Sequence, residues 1–484
     1  MNQPRIGLFV ADHIRDLPGM VLTAFELCQR GAECFLIPFK GRAKEVLALA
    51  PDFILFPHFR RFVAPEMAQY VGAGIQYGLL DVEGVVWNSM DEYKRTLWED
   101  PSLNQQARCV CAWGRLSAEH AIDNGIFEKR QVRVTGCPRF DFYKEPLATV
   151  YREQNASNGH SNRKLVLINT NFTIANTRGH TISKVAHDYI KKYGYDVSEE
   201  EIARWYADEL RAIDLTIELA NDLATDFPEV DVLVRPHPEE RIDTYADRVK
   251  KIGNLRVSKA GSVFPWILQA CAVLQRSCTT AVEANLAAVP ALSPQWIPHS
   301  QYYPVPESVS VQCADYEYLK GVLREIFKGS FEPAAEVRKN QSGIIESWFY
   351  RIDGEAHRRV ACAILESISP DVKPDMNKCL KSLYRLNGHA KFTRAYFANR
   401  LRYHLSLAPG WSFSDMSPSY NEALDDYFND AEVARLVAAI SAVTANRRPA
   451  TVRVSRAHDS GAYITDRYRG RSIVMRAVRS TDSE

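Results

Sequence analysis

Short apolar runs alternate with amphipathic stretches from the first residues of the chain. Arg5–Val10, Glu33–Pro38, Asp52–Pro57, Ile75–Leu80, Cys109–Trp113 and Val132–Thr135 are apolar at most successive positions and too short for helices, which predicts strands buried on both faces. Stretches with helical spacing, among them Gly19–Arg30 and Ser117–Asn124, separate them. That alternation predicts a parallel sheet with helices on both sides, a Rossmann-like domain over residues 1–150. The polar stretch Asn155–Asn162 interrupts the pattern and reads as a linker.

The alternation resumes at Lys164–Ile168. It continues through a long charged helix around Glu199–Asp226, then Val232–Val234, Leu255–Val257, Ala272–Leu274, Val309–Gln312 and a helix near Tyr316–Phe327. A second Rossmann-like domain is therefore expected over 164–330, followed by closing helices over 333–367. Residues 370–484 are expected to form a basic, mainly helical extension, because 446–484 hold nine arginines, no lysine and four acidic residues. Within it, Lys378, Lys381, Arg385, Lys391, Arg394, Arg400 and Arg402 are interleaved with Leu, Tyr and Phe. This is the pattern of a basic helix on an anionic membrane surface, or of the solvated face of a small helical domain.

Composition narrows the class. A chain of 484 residues with 46% hydrophobic and 25% charged residues has the make-up of a soluble protein of two or three domains, and a formal charge of +1 gives no general attraction to nucleic acid. Ten cysteines, most of them inside apolar runs, suit reduced thiols in a cytoplasmic protein better than a disulfide framework. No apolar run has bilayer-spanning length, so any contact with the inner membrane is expected to be peripheral, through the basic C-terminus.

Two facing parallel sheets would bring the carboxyl ends of both sets of strands to one central cleft, where open α/β sheets bind ligands. The run Asp231-Val-Leu-Val-Arg235-Pro236-His237-Pro238 ends a buried strand in a cation and an imidazole held between prolines. His237 is expected to donate to an anion, with Arg235 adding charge or organising the loop; a Pro-rich turn with a capping His is the plainer alternative. About forty residues on, an apolar strand runs into Ser277-Cys278-Thr279-Thr280, where hydroxyls and free backbone N–H groups at a helix start favour a phosphate, or simply cap the helix. Glu283, one turn into that helix, can hold a ribose hydroxyl or complement the helix dipole. Asn169, Asn171 and Arg178, after the strand at Lys164–Ile168, suit a sugar carboxylate or hydroxyls, unless the asparagines only form turns. In the first half, Asp81 and Glu83 stand at a strand end before Gly84 and can serve as general base or nucleophile. After Val132–Thr135, Arg139 can contact anions, and Asp141 can act as the catalytic carboxylate or cap a helix. Neither an Asp-x-Asp pair at a strand end, nor a Gly-x-x-x-x-Gly-Lys-Ser/Thr loop, nor a Gly-x-Gly-x-x-Gly after the opening strand occurs. Metal-chelated sugar nucleotides, P-loop chemistry and NAD are thereby disfavoured.

Taken together, Asp81-Val-Glu83-Gly84, Gly136-Cys-Pro-Arg139-Phe-Asp141, Asn169-Thr-Asn171-Phe172, Arg235-Pro-His237-Pro and Ser277-Cys-Thr279-Thr280-Ala-Val-Glu283-Ala284 resemble the bacterial surface-carbohydrate (capsule and lipopolysaccharide) biosynthesis proteins. These are similar to GT-B glycosyltransferases such as the CMP-Kdo-dependent β-Kdo transferases and, more distantly, bacterial sialyltransferases. The resemblance covers roughly residues 1–365. It implies a GT-B-like fold and a metal-independent transferase that needs no cofactor beyond its CMP-sugar donor. By the same resemblance His237, Ser277, Thr279 and Thr280 hold the CMP phosphate, and Asp81, Glu83 or Asp141 supplies the carboxylate. The expected activity is transfer of an acidic sugar, Kdo, to an oligosaccharide or lipid-linked acceptor. A CDP-polyol phosphotransferase of the teichoic-acid type, a nucleotide-sugar epimerase and a non-catalytic scaffold of polysaccharide assembly are the rival readings.

Overall fold

The computed structural model describes residues 3–58, 63–82, 100–157, 163–176, 198–299, 303–389, 428–444, 451–465, 468 and 470–478. Among the described residues fourteen strands run in chain order: β1 (Arg5–Val10), β2 (Glu33–Pro38), β3 (Phe53–Phe56), β4 (Gln76–Leu79), β5 (Cys109–Ala112), β6 (Val132–Val134), β7 (Leu165–Asn169), β8 (Asp231–Arg235), β9 (Leu255–Val257), β10 (Ala270–Leu274), β11 (Ala291–Pro294), β12 (Val311–Cys313), β13 (Val452–Arg456) and β14 (Ile473–Ala477). They form two sheets, and the chain divides into two compact units: residues 1–84, 97–141 and 353–484, and residues 85–96 and 142–352. Each unit is α/β with a Rossmann-like parallel sheet.

In the first unit the parallel strands take the order β2-β1-β3-β4-β5-β6. β1 is in register with β2 from Arg5↔Glu33 to Val10↔Pro38, and its Ile6–Val10 are all buried, as a strand covered on both faces requires. The helix His13–Gln29 returns over it. Asp12 caps that helix by accepting from the Arg15 N–H (2.7 Å), and Pro18 stands in its second turn.

The C-terminal residues carry more than the expected helices. The extension does contain the helices Met376–His389 and Asp430–Thr444, but β13 and β14 form an antiparallel hairpin, and β14 pairs antiparallel with β2 through Met475↔Cys34, Val474↔Phe35 and Ile473↔Leu36. The arginines that read as a charged appendage belong to this hairpin: Arg453 and Arg456 are exposed on β13, while Ile473, Val474 and Met475 are buried on β14. Charged outward positions on an edge strand discourage pairing with further chains. Glu45 fastens the hairpin, accepting from the Tyr463 hydroxyl (2.7 Å), the Ser472 hydroxyl (2.7 Å) and the Arg471 N–H (2.6 Å). Gly470 comes so close that a Cβ there would lie 2.5 Å from Glu45 Oε2. Arg5 adds a hydrogen bond to the Ala462 carbonyl at 2.7 Å.

On the helix Met376–His389, Lys378, Lys381, Tyr384 and Arg385 are exposed while Cys379 and Leu383 are buried. Lys391, Arg394, Arg400 and Arg402 lie outside the described residues. Among the described residues no helix is long and apolar enough to cross a membrane.

The second unit has the strand order β12-β11-β10-β7-β8-β9. Counted within the unit this is 6-5-4-1-2-3, the order of dinucleotide-binding folds, in which the chain reverses direction across the sheet between the first and fourth strands. β11 has no counterpart among the expected strands, because its four residues, Ala-Leu-Ser-Pro, carry a buried serine and end in proline. The helix Glu199–Asp226 begins with a reciprocal Ser198/Glu201 capping box and three glutamates in its first turn. It buries Ile213, Ile217, Ala220, Leu223 and Ala224, mostly at spacings of three and four, against β7, β8 and β9.

Candidate functional site

The direction reversal in the second sheet falls between β7 and β10, so the loops after β7, β8 and β10 emerge side by side. Registers Leu274↔Ile168 and Arg235↔Asn169 put the three strand ends level. The described residues singled out in the second half of the sequence stand at these strand ends or in the loops and the helix that follow them. What positions them is a set of buried carboxylates that sequence reasoning passed over.

Glu240 has no exposed surface and accepts five hydrogen bonds. Its Oε1 takes the Thr170 hydroxyl (2.6 Å), the Phe172 N–H (3.2 Å) and the His237 N–H (3.1 Å), and its Oε2 takes Asn176 Nδ2 (3.2 Å) and the Tyr245 hydroxyl. One side chain thus couples the loop after β7 to the loop after β8. Glu209, on the long helix, accepts the Ile174 and Ala175 N–H groups at 2.8 Å each and secures the other end of the β7 loop. Glu307, also fully buried, accepts the Ser277 N–H (2.7 Å), the Ser277 hydroxyl (3.3 Å) and the Ser293 hydroxyl (2.7 Å), and pairs with Arg276 at 2.9 Å. Ser277 has φ of 47°, a left-handed conformation unusual for a residue with a Cβ, and these bonds hold it there. The one local signal was the Glu three places after His237 at a strand end. Glu209 and Glu307 stand 35 and 30 residues from the loop residues they hold.

The expected donor residues then separate. His237 is half-buried, and its Nδ1 accepts from the Glu239 N–H (3.2 Å), which in the neutral ring assigns the proton to Nε2 and makes that nitrogen a donor. Arg235 is buried, with its guanidinium bonded to the Ala260 (3.0 Å) and Gly261 carbonyls; of the two roles open to it, loop organisation is the one this geometry serves. Burial lowers its pKa to about 10, which leaves it charged at neutral pH. Ser277 is buried and turned to Glu307, and its Oγ also accepts the Tyr303 N–H (3.3 Å), so its hydroxyl pins the turn. The expected row of free backbone N–H groups is shortened in the same way, since Ser277 N–H goes to Glu307 and Cys278 N–H to Gln275 Oε1 (2.6 Å). Thr279, at the N-cap of the helix Thr280–Leu286, makes no side-chain capping bond, so capping does not account for it. Thr280 Oγ1 lies 3.2 Å from the Cys278 thiol, which burial keeps protonated by raising its pKa. Glu283 Oε2 accepts the Tyr143 hydroxyl at 2.8 Å.

Asn169 is 5% exposed, and its Nδ2 has no hydrogen-bond partner among the described residues. A buried amide donor is normally satisfied, so this atom, at the end of the central strand, suits an acceptor brought by a ligand. Asn171 is half-buried on the same loop, and Arg178 lies outside the described residues.

In the first unit, Asp81 follows β4 and is buried, with Oδ1 3.8 Å from His58 Nδ1 after the neighbouring β3. Glu83 lies outside the described residues. Asp141 accepts the N–H groups of Ala356 (3.0 Å) and His357 (2.8 Å), and its Oδ2 lies 2.8 Å from His357 Nδ1. Its carboxylate is therefore the cap of the helix Ala356–Ser367, the second of its two expected roles. Arg139 lies over the Trp113 and Phe140 rings, with Nη1 3.7 Å from the buried Asp16. Gly19 admits the turn that carries it, as a Cβ there would meet Arg139 N at 2.8 Å. Among the described residues no group of three or more His, Cys, Asp or Glu could hold a metal ion.

No protein-family model and no curated protein sequence matches the chain. Similar solved structures include the wall teichoic acid polymerase TagF, as a variant soaked with CDPG (11% identity, 76% of this chain and 89% of that one, TM-score 0.46). Others are UDP-GlcNAc 2-epimerase from Neisseria meningitidis bound to UDP-GlcNAc (13% identity, 75% and 99%, TM-score 0.43) and UDP-GlcNAc 2-epimerase from Methanocaldococcus jannaschii in complex with UDP-GlcNAc and UDP (10% identity, 75% and 99%, TM-score 0.44).

Proposed function

We propose that the chain is a glycosyltransferase that passes an acidic sugar, Kdo, from a CMP-activated donor to a hydroxyl of a surface-polysaccharide or glycolipid acceptor. The observation that carries this reading is the donor array at the direction reversal of the second sheet. There His237 offers an Nε2–H of fixed tautomer, Thr279 a hydroxyl not used in capping, and Asn169 a buried amide without an acceptor. Such groups, held by a scaffold that does not reorganise, stabilise charge as it develops on a leaving phosphate. Asp81 is the carboxylate assigned to deprotonate the acceptor. CMP and Kdo as donor rest on the resemblance of the strand-end motifs. Asn171 and Arg178 are assigned to the sugar carboxylate, and Glu283 to the ribose when not bound to Tyr143.

His237→Ala should lower the transfer rate by about a hundredfold or more, the range for removing a positioned proton donor. The melting temperature should stay within about one degree of wild type, because the ring is half-buried and its loop is held through the backbone. Undiminished turnover would sink the donor site. In parallel, CMP and CMP-sugar at about a hundred times Kd should stabilise the wild type by about 2.7 kcal/mol. Stabilisation by UDP and not CMP would overturn the donor assignment, and a phosphodiester in the product mass would replace sugar transfer by polyol-phosphate transfer.

A further inference from the structure

The basic stretch that begins at Lys378 has no part in the reading above, and its first helix shows what it presents. In the first unit the helix Met376–His389 packs against the helix Arg42–Leu49 and buries Cys379 and Leu383, one turn apart. Turned away from that seam are Lys378, Lys381 and Arg385, all exposed, at spacings of three and four that keep them on one face along about 10 Å of helix. Met376 opens the helix, 46% exposed, and Tyr384 borders the cations, 50% exposed. They are two of the four large apolar or aromatic side chains left exposed among the described residues, the others being Leu210 and Tyr318.

The face is fixed by its own unit. Asp375 Oδ1 accepts the Asn377 (3.1 Å) and Lys378 (3.0 Å) N–H groups at the start of the helix, and the Asp375 N–H donates to the Ala73 carbonyl (2.8 Å). Upstream, Gln76 holds the segment that leads to it: Nε2 donates to the Ser369 (2.9 Å) and Val372 (3.1 Å) carbonyls, and Oε1 accepts the Ser369 N–H (2.8 Å). Asp375 Oδ2 lies 3.7 Å from Lys378 Nζ, while Lys381 and Arg385 take part in no ion pair among the described residues. The adjoining sequence supplies no counter-charge, since residues 376–414 hold seven Lys or Arg and no Asp or Glu.

We propose that this face is a docking surface for an anionic lipid bilayer, on which the helix Met376–His389 lies in the plane of the headgroups. The proposal stands independently of the nucleotide reading. A row of cations without counter-charge is drawn to the negative surface potential of acidic headgroups. Once there, the Tyr384 ring and the Met376 side chain enter the boundary between headgroups and acyl chains, where an amphipathic ring and an apolar chain both leave water. Nucleic acid meets the charge but has no apolar layer for Met376, so the bilayer is the partner that accounts for both halves of the face.

The test is co-sedimentation of the full chain with vesicles of phosphatidylcholine, with and without phosphatidylglycerol. The wild type should bind the anionic vesicles at least about tenfold more tightly than the neutral ones, and salt of about 0.5 M should release it. Lys381→Gln together with Arg385→Gln should weaken binding about twentyfold, at about fivefold for each cation near the surface. Met376→Ser together with Tyr384→Ser leaves the charge untouched and should weaken it about tenfold. Both pairs should melt within about one degree of wild type, because all four side chains are exposed. Wild-type vesicle affinity in either pair overturns the proposal, and so does a protein that binds neither vesicle or binds both equally. Tighter binding to single-stranded DNA than to anionic vesicles at the same salt assigns the face to nucleic acid and overturns it as well.

Discussion

A chain cut after residue 450 is expected to lose the cooperative fold of its first unit, because the segment removed is a structural part of the sheet. β14 covers the edge of β2 and buries Ile473, Val474 and Met475. At about 2 kcal/mol for each fully buried aliphatic side chain, these three alone contribute about 6 kcal/mol, against a usual total of about 5–15 kcal/mol for a domain. The cut also strips Glu45, itself 4% exposed, of the Tyr463 and Ser472 hydroxyls and the Arg471 N–H. It leaves the backbone of β2 as an open edge as well, which invites association with other chains. Soluble yield and near-ultraviolet circular dichroism of the truncated protein measure the effect. Glu45→Ala in the full chain is the graded companion, with an expected loss of about 3 kcal/mol from stranded buried donors. A truncated protein that melts cooperatively at the wild-type temperature would show that the hairpin is dispensable.

Glu240→Ala should produce the largest loss among point substitutions in the second unit. Five donors lose their acceptor at once, and three of them, from Thr170, Phe172 and Asn176, belong to the loop after β7, while His237 and Tyr245 follow β8. Buried donors without acceptors cost about 1–3 kcal/mol each, and partial relaxation brings the expected total to about 4 kcal/mol, the upper end for one substitution. At about 2–4 °C per kcal/mol for a unit of this size, the melting temperature should fall by roughly 8–16 °C. Glu240→Gln separates charge from shape. The amide oxygen can still accept from Thr170, Phe172 and His237, so only the Asn176 and Tyr245 bonds are compromised and the loss should be well under half that of alanine. Amide hydrogen exchange over 170–176 and 237–245 should accelerate together in the alanine variant, since one side chain ties the two loops. Alanine and wild type with the same melting temperature and exchange would remove Glu240 from its assigned role.

The α/β class and most strands were legible in sequence because a strand covered on both faces must be apolar at nearly every position, and such runs stand out against amphipathic helices. Leu165–Asn169 and Asp231–Arg235 are cases, and the Arg-Pro-His-Pro and Ser-Cys-Thr-Thr segments stood out because they end such runs. The hairpin β13–β14 was hidden by its arginines, which raise the charge of the segment, while only the short run Ile473–Met475 is buried throughout. What a polar side chain does, by contrast, was decided by residues far along the chain. Asp141 caps a helix 215 residues away, Ser277 faces Glu307 across 30 residues, and Glu240 reaches Thr170 across 70. Periodicity reports which face of a local element is apolar and carries no record of these partners. The sequence by itself thus determined where strands end and which chemistry waits there, while only the tertiary structure decided which of those groups are spent on holding loops and which are left to meet a ligand. The physical reason is that a buried polar group must be satisfied by whatever folding brings beside it.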